Sequence, residues 1–185
     1  MNHYGGKEMA ASFRTVRGNT IKIAEEIPEN KYGFRATPDT RTIGETLTHI
    51  AFGSSFQSHV HMNKIADLTT VNFPELMQRI RADEAKPRTK TEIVALLKSE
   101  GEKFAAFLEG ASDAFLAERV SMRPGAEPAS RSRLEMLLSA KEHEMHHRAQ
   151  LMLMERMIGI VPHLTREAQA RMARYQAQQA QASTT

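Results

Sequence analysis

Residues 134–158, Leu-Glu-Met-Leu-Leu-Ser-Ala-Lys-Glu-His-Glu-Met-His-His-Arg-Ala-Gln-Leu-Met-Leu-Met-Glu-Arg-Met-Ile, form one long helical pattern. Steps of three and four from Met136 reach Ala140, His143, His147, Leu151, Met154 and Ile158, a single line down one helix face. The line is apolar at both ends and carries two imidazoles in its middle, where a bundle helix normally places leucine. An unpartnered imidazole is costly to bury, and two at i and i+4 point the same way one turn apart. That geometry suits two ligands of one metal ion.

The rest of the chain narrows what such a helix belongs to. With 185 residues, 41% of them hydrophobic, the chain can bury one substantial core and is expected to be largely one domain. Its 25 Lys and Arg are interleaved with 22 Asp and Glu, so the net charge of +3 makes no basic stripe and no nucleic-acid partner is expected. Residues 1–20 lack an apolar signal core, and no stretch approaches the ~18 apolar residues of a membrane span, so a cytoplasmic protein without a membrane partner is expected. The absence of cysteine rules out disulfides, iron–sulfur ligation and a protein thiol nucleophile. Histidine and carboxylate remain as the strong metal ligands, and there are eight histidines to sort.

Every well-patterned segment is helical and no convincing period-2 run appears, so the class is all-α. Met9, Phe13, Val16, Thr20, Ile23 and Ile27 trace a first helix that stops at Pro28. A long connection over residues 28–41 leads to Thr42 and Glu45, a capping box that opens a second helix running to about Lys64, weakened locally by Gly44 and Gly53. A short connecting helix is expected over Pro74–Asp83, and a third long helix opens at Thr89 or Thr91 and ends near Gly110. Residues 120–130 read as a Pro/Gly loop before a second capping box, Ser132 with Glu135, that starts the histidine helix. Four long helices with long connections and one short extra helix make a four-helix bundle over residues 1–164. Residues 165–185 form a polar Ala/Gln-rich tail, either helical over Thr165–Gln178 or frayed.

Two imidazoles rarely complete a divalent site, and the second helix offers a third. Thr42, Glu45, His49, Phe52, Phe56 and Val60 share one face, placing His49 beside two phenylalanines. His49, His143 and His147 together leave coordination positions open for water and substrate, as a catalytic site requires. Glu45, one turn before His49, is either a helix cap or a catalytic base. His146 falls on a polar line and reads as solvent-facing; His59 and His61 read as surface or interface residues; His3 lies in the terminus, and His163 follows the end of the helix. Met136, Met145, Met152, Met154 and Met157 read as core filling. Arg148 and Gln150 suit bundle salt bridges, an interface or substrate anions.

Three stretches carry a resemblance. Lys-Glu-His-Glu-Met-His-His-Arg-Ala-Gln-Leu at 141–151 resembles the C-terminal motif of the DinB-like family, H-x-x-x-H-H-R-G-Q, with Ala149 where glycine is common. Residues 32–51 resemble the family's loop and second helix, and Gly-Ile-Val-Pro-His at 159–163 is similar to its Gly-Ile-Val-Pro-Pro. The resemblance implies a four-helix bundle, often a homodimer, with a divalent metal on a histidine triad that maps onto His49, His143 and His147. Relatives include thiol-dependent S-transferases and assigned hydrolases.

Two functional classes follow. In the first, nickel, zinc or iron on the triad acidifies a bound water or a low-molecular-weight thiol, and the chain is an S-transferase or a hydrolase of small molecules. In the second, the metal stabilises a non-catalytic binding or stress-response bundle.

Overall fold

A computed structural model describes residues 4–182. Helix α1, Gly6–Glu26, turns Met9, Phe13, Val16, Thr20 and Ile23 inward and ends ahead of Pro28, whose ring disfavours helical backbone at Ile27. The connection that follows makes one 3-10 turn, Glu29–Lys31, and is pinned where the Tyr32 hydroxyl donates to the Ala24 carbonyl at 2.7 Å. Its return is fixed by Gly44 N donating to Tyr32 O and Ile43 N to Phe34 O, both at 2.9 Å.

Helix α2, Ile43–Phe52, opens with the expected box: Glu45 N donates to Thr42 Oγ1 at 3.1 Å, and Thr42 N to Glu45 Oε2 at 2.7 Å. The single helix expected to Lys64 is instead two. Gly53 and Ser54 break it, and α3 covers Ser55–Met62. Helix α4, Phe73–Glu84, is capped by Asn72, and α5, Lys90–Glu109, by the Thr89/Glu92 box. A short α6, Asp113–Ala117, precedes strand β1, Arg119–Ser121, which pairs antiparallel with β2, Ser130–Ser132. The expected loop over 120–130 is thus the turn of a small hairpin. Its strands are three residues long, too short for a period-2 pattern to register. Helix α7, Arg133–Met157, is the histidine helix, and α8, His163–Ala182, makes the tail helical.

Helices α1, α2, α5 and α7 form the bundle, with α1 and α2 each packed on both α5 and α7. In that arrangement α1 and α2 face each other across the diagonal, as do α5 and α7, so the long α1–α2 and α5–α7 connections are crossovers. The core is divided. One apolar cluster holds Ile23, Ile43, Leu47, Leu97, Leu151 and Met154; another holds Met9, Phe13, Phe104, Leu108, Leu137 and Ala140. Residues 141–150 of α7 contribute to neither cluster.

The gap between them is a polar layer. Arg17 of α1, 4% exposed, donates Nε to both Glu144 carboxylate oxygens at 3.0 Å, Nη1 to Leu97 O at 2.8 Å and Nη2 to Ile50 O at 3.1 Å. One guanidinium therefore ties α1 to α5, α2 and α7. Thr20 completes the acceptor shell of Glu144 through its hydroxyl at 2.7 Å. Gly101 makes room, since a Cβ there would stand 2.7 Å from Arg17 Cγ. Ile50 and Glu144 each follow a histidine of the triad, so this layer sets the spacing of the helices that carry them.

Candidate metal centre

Three imidazoles converge between α2 and α7. His49 Nε2 lies 3.1 Å from His143 Nε2, which lies 3.2 Å from His147 Nε2. The ring centroids are 4.6–4.9 Å apart. Among the described residues, these three are the group of metal-ligating side chains brought together closely enough to hold one ion.

The outer nitrogens fix the tautomers. His49 Nδ1 stands 2.8 Å from Glu84 Oε1, and His147 Nδ1 stands 2.8 Å from Gln150 Oε1. Both acceptors require the proton on Nδ1, which leaves bare lone pairs on the two Nε2 atoms aimed at His143. A proton on His143 can satisfy at most one of the two contacts, whereas a cation accepts all three lone pairs. Separations of 3.1 and 3.2 Å match nitrogens around a single ion with ~2.0–2.1 Å bonds. The donor set therefore fits a divalent metal.

Burial keeps His143 and His147 neutral. Desolvation, reinforced by His147, His49 and His146, pushes His143 down to about 4, and desolvation also lowers His147. His143 Nδ1 is buried without a partner, and the backbone of Gly53 positions that ring where no acceptor does. A Cβ at residue 53 would stand 2.8 Å from His143 Nδ1 and 3.1 Å from its Cε1. The same glycine that ends α2 makes the seat of the central imidazole.

A cavity of about 590 Å³ reaches the triad through His147. Its lining includes the polar residues Asp39, Thr40, Arg41, Thr46 and Gln150 and the apolar residues Ala36, Leu153 and Met154. Such a volume is that of a small-molecule site.

Glu45 is 57% exposed at its side chain; its carboxylate accepts from Thr42 N and pairs with Arg35 at 3.6 Å. Those contacts, with the Thr42 hydrogen bond foremost, hold its carboxyl below the usual range. The carboxylate that meets the triad is Glu84, one residue past the expected end of the connecting helix. Nothing local in the sequence marks it, because its partner lies 35 residues away.

The other histidines divide. His146 is exposed and accepts from Gln150 Nε2 at 3.2 Å, and His59 is half-buried. His61, expected at the surface or an interface, is instead 1% exposed in the interior, between Gln57 Oε1 at 3.0 Å and Arg133 Nη1 at 3.2 Å. An unbroken helix at ~100° per residue would turn it outward, and the break at Gly53 resets that angle. His163 is buried against Asn19, and His3 lies outside the described residues. Met136 and Met154 are core residues as expected, whereas Met145 and Met157 are 43% and 51% exposed.

Comparison with known proteins agrees with the fold. The sequence profile of the DinB superfamily matches residues 12–151. The uncharacterized protein YjoA of Bacillus subtilis strain 168 is 25% identical over 154 residues, covering 82% of this chain and 90% of that one. The crystal structure of YjoA, described as a DinB-like protein, superposes with a TM-score of 0.62 at 21% identity over 82% of this chain and 92% of that one. An uncharacterized protein from Clostridium difficile 630 superposes at 0.63 with 13% identity, over 85% and 99% of the two chains. YfiT from Bacillus subtilis, described as a probable metal-dependent hydrolase with an unusual four-helix bundle topology, superposes at 0.64 with 12% identity, over 86% and 91%.

Proposed function

The chain belongs to the DinB superfamily, and from that premise we propose that it is a divalent-metal-dependent enzyme that activates the thiol of a small cosubstrate for attack on an electrophile. The observation that carries this reading is the convergence of three imidazole Nε2 atoms beside an open cavity. A divalent ion held there supplies a Lewis acid that lowers the pKa of a coordinated thiol or water toward neutrality. Three uncharged ligands leave the ion its full charge for that purpose.

The protein's own groups do the rest. Glu84 and Gln150 hold His49 and His147 in the tautomer that presents Nε2, and partners of this kind commonly change metal affinity by about 10–100-fold when removed. Arg17 and Glu144 hold the two ligand-bearing helices at a fixed spacing. The chain has no cysteine, so the sulfur nucleophile arrives with the cosubstrate.

Hydrolysis is the second reading, favoured by the description of YfiT as a probable metal-dependent hydrolase. The two separate in one assay. Metal-loaded protein is expected to accelerate conjugation of a small thiol to an electrophilic acceptor, and His147→Ala is expected to abolish the acceleration. Turnover of small esters or amides in water, without thiol dependence, would instead select hydrolysis. Activity equal to the His147→Ala control in both assays would support a metal-stabilised binding bundle.

A further inference from the structure

Resting on the metal-site reading above, we propose that the cavity beside His147 binds a small molecule bearing a single carboxylate on an apolar body, and that Arg41 takes the carboxylate. The cavity is lined by both kinds of chemistry. Ala36, Leu153 and Met154 are its apolar residues, and Arg41 is the cation among its polar ones. The other polar lining groups have committed their protons. Thr46 Oγ1 donates to Thr42 O at 2.8 Å, Thr40 Oγ1 donates to Thr37 O at 2.8 Å, and the Gln150 amide is oriented by His147 and His146.

Arg41 is exposed and makes no ion pair or hydrogen bond among the described residues, its charge acting at longer range on Glu45 and His147, while its neighbour Arg35 pairs with Glu45 at 3.6 Å. It directly precedes Thr42, the N-cap of α2, so the backbone that carries it is fixed relative to His49 on the same helix. Its planar fork of donors matches a carboxylate bidentately. Asp39 shares the rim, with a carboxylate that accepts from the Thr37 hydroxyl at 2.6 Å and a carboxyl held below its usual range by that bond. Its negative charge opposes a second anionic group, so a monocarboxylate fits better than a phosphate dianion. One end of such a ligand meets Arg41, and its body lies along Leu153 and Met154 toward His147.

The test compares 4-phenylbutyrate with its neutral isostere 4-phenylbutyramide, titrated into metal-free and metal-loaded protein and followed by NMR. The carboxylate is expected to bind about tenfold more tightly than the amide in both forms, a difference of about 1.4 kcal/mol. Arg41→Gln is expected to abolish that preference and Arg41→Lys to retain part of it. Equal affinities in the metal-free wild type would overturn the assignment, as would a preference that survives Arg41→Gln. A preference seen only with metal would place the carboxylate on the ion and equally overturn it. Because the decisive titration uses metal-free protein, failure of the triad to bind metal leaves this result intact and counts against the proposed enzyme alone.

Discussion

Glu144 and Glu155 are both buried on α7, at 2% and 0% exposure, and only the first has partners. Glu144 is saturated by Arg17 and Thr20, whereas neither carboxylate oxygen of Glu155 has a hydrogen-bond partner. Burial, with Glu26 adding repulsion, raises the Glu155 carboxyl from an ordinary 4.5 to about 7, and Arg166 and Arg156 only partly offset this. A carboxyl whose folded pKa is raised stabilises the fold fully below its ordinary value, and that stabilisation is lost as pH rises through about 7. Glu155→Gln removes the ionisation while keeping the shape. In urea unfolding the variant is expected to gain stability over wild type between pH 5 and pH 8, by up to about 3 kcal/mol. A constant difference across that range would show that Glu155 ionises as freely in the folded chain as in the unfolded one.

At the scale of elements, the break between α2 and α3 matters most. Gly53 ends α2 and receives the His143 ring, so a methyl group added there must displace the imidazole or the helix end. Gly53→Ala is expected to weaken metal binding at least tenfold by competition against a chelator, with far-UV helicity unchanged. Undiminished affinity would mean that the ring can shift without loss of the site. This break also marks where sequence reading stops. The inward face of α7 was legible because its period runs unbroken through 25 residues, and the capping box at Thr42 announced its helix directly. Beyond Gly53 the angular register resets, which hid the burial of His61. Glu84 was hidden for another reason: its role depends on α4 folding back over α2, a tertiary contact with no local pattern. The two three-residue strands lay below the length at which alternation can be recognised.

Across the whole molecule, the two larger apolar clusters have a polar layer between them, and that layer contains both the Arg17–Glu144 pair and the histidine triad. Burying so many polar groups costs stability that a uniform apolar core would retain. Here the arrangement leaves three imidazole lone pairs facing one point, held from behind by Glu84, Gln150 and the backbone of Gly53. An ion held there would convert that unsatisfied cluster into a bonded one, which would couple metal binding to folding stability. No helix among the described residues is long and apolar enough to cross a membrane. His49, His143 and His147 are expected to bind one divalent ion together. That binding is tested most directly by elemental analysis of protein purified without added metal, beside the His49→Ala and His143→Ala variants: about one ion per chain is expected in the wild type and near-complete loss in both variants, and undiminished metal in either variant would contradict the triad.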